Sequence, residues 1–183
     1  MRDTSTYMKV NNKNTKSTFE AIYKSESDAI FRFCLLRVSS REQALDITQE
    51  TFLRLWQSLL SDKEILNNKA FLFTVARRLI IDWYRKKKSL SLDSMMSERE
   101  DSTYDIVDEK TVDDKLTIGI EGRYLLEKIN DLEPSYRDPL YLRFIEDLSP
   151  GEIGKILNIS ANAVSVRINR GIIELRKIAG YGK

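Results

Sequence analysis

Apolar residues recurring every three to four positions, only seven glycines and three prolines in 183 residues, and one abrupt acidic stretch predict an all-α fold. The acidic stretch, 89–115, divides the chain into two small helical domains joined by a flexible linker. Hydrophobic residues make up 42% and charged residues 32%, a balance that suits a folded, soluble chain. The net charge of +2 says little about partners, but the segregation of bases from acids along the chain says more. No apolar run reaches the roughly 18 residues that a spanning helix needs. The polar N-terminus also lacks a signal peptide's apolar core, so a cytoplasmic chain without direct membrane insertion is expected.

Enzyme chemistry finds little material here. The chain has no histidine, which removes imidazole bases, His triads and His-ligated metals, and no glycine-rich phosphate loop is present. The single cysteine, Cys34, lies among Ile30, Phe33 and Leu36 and reads as a small buried hydrophobe. A disulfide or a cysteine metal site within one chain is thereby excluded. No catalytic residue, cofactor or metal is expected.

Residues 1–16 (MRDTSTYMKVNNKNTK) are polar, show little apolar periodicity and read as a mobile N-terminal arm. The first domain is expected at 17–88. Its first helix opens at Ser17-Thr18, with Phe19, Ile22, Tyr23, Ile30, Phe31, Cys34 and Leu35 turned to the core. The second follows Ser40, which forms a capping box with Gln43, and reaches Leu60. Ala44, Ile47, Thr48, Thr51, Phe52, Leu55 and Leu59 form its inward face. The opposite face carries Asp46, Gln49, Glu50, Leu53, Gln57 and Leu60, with Trp56 at the margin. Leucines beside a Trp and ordered acids suit a protein–protein surface, although periodicity alone equally allows a further helix to cover them.

A polar loop from Ser61 to Lys69 leads to a third helix, Ala70 to Lys88, with Leu72, Val75, Ala76, Leu79, Ile80 and Trp83 inward. Its outer surface and end are basic: Arg77, Arg78, Arg85, Lys86, Lys87 and Lys88, six cations in twelve residues. Helix capping needs fewer. With Phe71, Phe73, Trp83 and Tyr84 interleaved, these cations suit a surface that follows a phosphate backbone while bases stack on rings. The linker then carries nine acids against three bases.

The second domain, 116–183, reads as a helix from Leu116 to Asn130, another from Pro134 to Ile145, and a helix-turn-helix. Ser149-Pro150-Gly151-Glu152 starts the first helix of that motif with a capping box, and Ile153, Ile156 and Leu157 face inward. Asn158-Ile159-Ser160 makes the turn, and Ser160 caps a second helix that runs to Gly180. At about 100° per residue, Ala161, Val164, Ile168, Gly171, Ile172 and Leu175 share the inner face. Asn162, Val166, Asn169, Arg170 and Ile173 share the outer one, with Ser165 and Arg167 on its flanks. Outward Asn and Arg suit adenine and guanine edges in a major groove, and an outward Val suits a thymine methyl. Arg167, Arg176 and Lys177 are placed to hold phosphates.

Three segments together resemble the extracytoplasmic-function (ECF) sigma factors of the RNA polymerase sigma-70 family. Asp46 to Trp56 (DITQETFLRLW) resembles that family's core-polymerase-binding helix. Ala70 to Arg85 (AFLFTVARRLIIDWYR) resembles its −10 recognition segment, although the family usually has Asn where this chain has Arg78. Glu152 to Leu157 (EIGKIL), with Ser160 and Val164 to Arg170 (VSVRINR), resembles its −35-reading helix-turn-helix. The resemblance implies that Asp46, Gln49, Glu50, Leu53 and Trp56 dock on core RNA polymerase. It implies that Asn67, Asn68 and Lys69, with Arg77, Arg78 and Arg85, hold a flipped base and backbone of the melted −10 strand. Ser165, Val166, Arg167, Asn169 and Arg170 would meet −35 promoter DNA. The acidic linker would thread a basic channel of the polymerase. An anti-sigma factor is a further implied partner, and the free chain is expected to be a monomer. The competing reading is an autonomous dimeric helix-turn-helix regulator, which would need a self-complementary interface and a palindromic site.

Overall fold

The structure, a computed structural model, describes residues 4–38, 40–61, 65–94, 124, 126–129 and 131–180, of which 4–13 and 89–94 are described as backbone alone. Every extended element among them is helical, and the chain divides at Val107/Asp108 into two units.

The first unit is built on α1 (Thr4–Leu35), α2 (Arg41–Leu60) and α3 (Asn68–Ser94), each packed on the other two. Its core gathers Ile30, Phe33, Cys34, Leu35 and Val38 around Ala44, Ile47, Phe52 and Leu55, closed by Leu72, Phe73, Ala76 and Ile80. Phe33 and Phe73 meet edge to face at 5.0 Å, a geometry that places the positive ring edge on the negative ring face. Two threonines lie inside this core on α2. Thr48 and Thr51 each donate their hydroxyl to the carbonyl four residues back, Ala44 and Ile47, at 2.7 Å. Those bonds satisfy groups that would otherwise be buried without partners. The inward face read from α2's sequence is observed from Ala44 to Leu55, with Leu59 only half-buried near the helix end, and Ser40 caps α2 by accepting from the Gln43 amide.

Three differences from the sequence reading stand out in this unit. Residues 1–16 read as an arm, whereas α1 is helical from Thr4. The stretch contains no Gly or Pro, so a helix fixed by its packed C-terminal half propagates backward at little cost. Likewise α3 continues past Lys88 to Ser94, through residues assigned to the linker; what remains of the acidic stretch lies outside the described residues. Tyr23, read as core, is 49% exposed: one edge of its ring packs on Phe52 of α2 at 4.8 Å and the rest faces solvent.

The second unit contains a helical turn at 126–129, α4 (Pro134–Phe144), α5 (Pro150–Leu157) and α6 (Ala161–Ile178). The predicted helix Leu116 to Asn130 is described only at its end, where Leu126, Ile129 and the following Leu132 are buried. The helix-turn-helix follows the expected plan closely. Ser149 and Glu152 form the reciprocal capping box, Pro150 occupies the first turn, and Asn158 ends α5 in the left-handed region at φ 57°. Ser160 then caps α6 by accepting from the Ala163 amide at 3.1 Å. Gly154 is required by this tight turn: a Cβ there would lie 2.7 Å from the carbonyl oxygen of Ile159. Gly171 marks a close approach where α6 crosses α4: a Cβ would lie 3.1 Å from Tyr136 Cβ and 2.8 Å from Leu140 Cδ1, a side-chain end that can shift.

Candidate functional site

Each candidate surface is one helix face left over after the core is satisfied. On α2, burial of Ala44, Ile47, Thr48, Thr51, Phe52 and Leu55 turns Leu45, Asp46, Gln49 and Leu53 to solvent, with Glu50 and Trp56 at the edge. No described helix covers Leu53 or Leu60, which are 48% and 51% exposed, so the buried alternative for this face fails among the described residues. The indole of Trp56 is braced edge to face by Phe19 of α1 at 5.2 Å, and Phe19 and Tyr23 in turn meet Phe52 at 6.3 and 4.8 Å. Trp56 is thus half-buried and braced, three residues after Leu53 and four before Leu60 along α2. Glu50 accepts from Arg54 at 2.8 Å, a surface pair that orders the acid but stabilises by only about 0.5 kcal/mol. The sequence reading missed Leu45, 48% exposed; its four-residue spacing to Gln49 and Leu53 was the available signal.

The basic surface of α3 is more particular than its composition. Asn67 is the residue that starts the helix: its side-chain oxygen accepts from the Ala70 amide at 2.8 Å. Asn68 and Lys69 follow in the first turn, half-buried, beside Leu66, which is 87% exposed. Arg77 is half-buried, whereas Arg78 and Arg85 are exposed on one face seven residues apart. Asp82 lies between them and holds Arg85 at 2.9 Å. Of the four aromatics proposed for base stacking, Phe73 is fully buried against Phe33 and unavailable. The hydroxyl of Tyr84 donates to the Arg37 carbonyl, tying α3 to the end of α1. Trp83 is half-buried, packed on Tyr84 at 4.8 Å with the Lys87 ammonium 5.5 Å from its ring.

On α6 the faces separate as expected. Val164, Ile168 and Gly171 are buried, while Asn162, Val166, Asn169, Arg170 and Ile173 are exposed. Ser165 and Arg167 lie half-buried on the flanks, and the Ser165 hydroxyl donates back to the Ala161 carbonyl at 3.1 Å. Ala161, placed inward by periodicity, is exposed because the first residue of a helix precedes the neighbours that would cover it. A continuous strip of Val, Asn and Arg therefore projects from a helix whose other side is anchored, which is what insertion into a groove requires.

Among the described residues no group of three His, Cys, Asp or Glu could hold a metal ion, and no helix is long and apolar enough to cross a membrane. The Cys34 thiol is pushed up to about 11, first by burial, with opposing contributions from a Thr48 hydrogen bond and the Arg37 charge.

Residues 22–90 match the family Sigma-70 region 2, and residues 122–175 match Sigma-70, region 4. Over 171 residues the chain is 33% identical to the ECF RNA polymerase sigma factor SigW of Bacillus subtilis (strain 168), spanning 90% of each chain. Two solved structures share the fold. One is the sigma factor RpoE from Bartonella quintana, solved with the anti-sigma factor NepR; its TM-score is 0.66 at 19% identity, over 91% of this chain and 99% of that one. The other is CnrH with the cytosolic domain of CnrY, with a TM-score of 0.62 at 18% identity, over 92% and 91%.

Proposed function

The chain belongs to the ECF RNA polymerase sigma factors of the sigma-70 family, a non-enzymatic class of transcription initiation factor, and from that premise we propose how its surfaces divide the work. The outer face of α2 docks on core RNA polymerase through Asp46, Gln49, Glu50, Leu53 and Trp56. Trp56 and Leu53 supply the apolar anchor, and the acids around them supply orientation. The start of α3, Asn67 to Lys69, with Arg77, Arg78 and Arg85, holds the melted −10 strand. Extruding a base costs a few kcal/mol, which contacts to the loop and phosphates offset. On α6, Val166, Asn169 and Arg170 read −35 base edges, while Ser165 and Arg167 fix the helix against the backbone.

The observation that carries this reading is the exposed strip Val166–Asn169–Arg170 on a helix whose opposite side, Val164, Ile168 and Gly171, is packed away. Family membership does not favour the autonomous dimeric regulator. An anti-sigma factor is a further partner in this reading, supported by the neighbour RpoE having been solved with one, NepR. The site of action is the cytoplasm, where polymerase and promoter meet.

The test is in vitro transcription with purified core enzyme on genomic DNA, with start sites mapped. Discrete new start sites sharing a −35 and a −10 element are expected. Tight promoter binding by the chain without polymerase, or failure to co-elute with core enzyme, would overturn the reading.

A further inference from the structure

The corner between α4 and α5 is built more heavily than a five-residue connection requires. α4 ends with Ile145 donating its amide to the Tyr141 carbonyl at 2.9 Å, and Glu146 donating to the same oxygen at 3.3 Å. The chain then passes through Asp147 at φ 53°, a left-handed conformation that a non-glycine residue adopts at a cost. Leu148 returns its amide to the Leu142 carbonyl at 2.9 Å, and Arg143 Nη1 donates to the Leu148 carbonyl at 3.1 Å. At the centre is a carboxylic side chain turned inward. Glu146 is only 4% exposed, and its Oε1 accepts from the hydroxyl of Tyr141, itself 2% exposed, at 3.1 Å.

A carboxyl group is among the most expensive groups to bury, so an apolar residue would serve a merely packed corner better. A buried hydrogen bond with fixed length and direction instead selects one geometry. The geometry at stake is the aim of α6. α4 packs on α6 through Tyr136, Leu140 and Gly171, and α5 packs on α4 and α6. The angle at which the chain leaves α4 thus sets how the helix-turn-helix is held.

We propose that Tyr141 and Glu146 are a positioning pair for −35 recognition: their buried hydrogen bond holds α5 and α6 at the angle on α4 that points Val166, Asn169 and Arg170 into the groove. The pair touches no DNA. It acts by keeping the second unit in its binding-competent arrangement, so its loss lowers apparent affinity by the fraction that leaves that arrangement. This inference rests on the reading of α6 as the −35 helix.

The test uses full-length chain with core polymerase and two templates. One is a promoter mapped with the wild-type protein; the other is a pre-melted −10 bubble lacking a −35 element. Tyr141→Phe is expected to lower transcription from the first about fivefold, the worth of one typical hydrogen bond, and Glu146→Ala by at least as much because it also empties buried space, with bubble transcription and co-elution with core essentially unchanged. Glu146→Gln keeps an acceptor oxygen at the same position and is expected to restore most of the loss. Melting curves for each variant fix an assay temperature well below its transition, so that global unfolding is not what is read. Wild-type transcription by Tyr141→Phe, an equal loss on both templates, or Glu146→Gln behaving as Glu146→Ala would each overturn the proposal. Arg170→Ala separates the two levels. If it leaves −35-dependent transcription intact, the assignment of α6 is wrong; if it abolishes that transcription while Tyr141→Phe does not, only the positioning pair falls.

Discussion

Gly151 and Gly154 sit three residues apart on α5 and invite the same substitution with opposite outcomes. At Gly151 an added Cβ meets nothing within 4 Å. Alanine there removes the backbone freedom of glycine in the unfolded chain and gains helix propensity, together about 0.5–1 kcal/mol of stabilisation. At Gly154 the same gain applies, but the Cβ would lie 2.7 Å from the Ile159 carbonyl oxygen and 3.4 Å from the Ala161 nitrogen. Both are backbone atoms in the turn, and the Ile159 amide is already bonded to the Gly154 carbonyl at 3.0 Å, so neither can swing aside like a side chain. Overpacking of this kind costs about 1–3 kcal/mol, and an unyielding neighbour puts the cost at the upper end. Net destabilisation by Gly154→Ala should therefore be about 2 kcal/mol. For a unit of this size that is a drop of roughly 8–16 °C in its transition, against a small rise for Gly151→Ala. Trp56 and Trp83 both lie in the first unit, so tryptophan fluorescence reports that unit's unfolding alone and should be unmoved, while far-UV circular dichroism also follows the second. Equal melting of the two variants by circular dichroism, or a stabilised Gly154→Ala, would refute the reasoning that the turn's backbone is rigid.

Three further outcomes are expected. Asn67→Ala should destabilise the first unit by about 1 kcal/mol through loss of the α3 cap, while Asn67→Asp keeps the cap. If Asn67→Asp also retains −10-dependent transcription, the residue acts through the cap; if it loses transcription but not stability, its amide meets a base. Cys34 titrates near 9.0 unfolded and about 11 folded, so the unfolded chain gives up its proton first as the pH rises. Stability from this group is full below pH 9 and falls by about 2–3 kcal/mol by pH 11. Chemical denaturation of wild type and Cys34→Ala across that range should converge as the pH rises, and parallel curves would count against it. Finally, Trp56→Ala should weaken association with core polymerase by about 2 kcal/mol or more, and Arg170→Ala should leave it intact while reducing −35-dependent transcription roughly 5- to 150-fold, the equivalent of about 1–3 kcal/mol of lost base contact. Gel filtration with core enzyme and transcription on the mapped promoter distinguish the two.

Much of this architecture was written in local signals. Periodicity alone marked the inward side of α2 from Ala44 to Leu55, because the packing partners of a two-sided helix must lie on its apolar stripe. Ser149, Glu152, Asn158 and Ser160 marked both ends of the turn in the helix-turn-helix, because capping chemistry depends on residues three or four apart. The roles proposed for the three exposed surfaces rest on the resemblance of three motifs, since a solvent-facing leucine or arginine looks the same whatever it binds.

What only the folded chain decided involves contacts between segments distant in sequence. Phe73 counts as one more aromatic among cations until Phe33, forty residues earlier, is found edge-on against it and removes it from any DNA surface. Phe19 likewise turns Trp56 from a marginal residue into a braced anchor. Asn67, assigned to a base, has its oxygen committed to the helix it starts, and Glu146 passes for a surface acid until its burial against Tyr141 is seen. Sequence determined which residues could form helices and which sides would be apolar, because those are consequences of spacing along one helix. Which polar groups remain free to meet polymerase or DNA depends on what the rest of the chain has already bonded, and that is settled only when the helices close on one another.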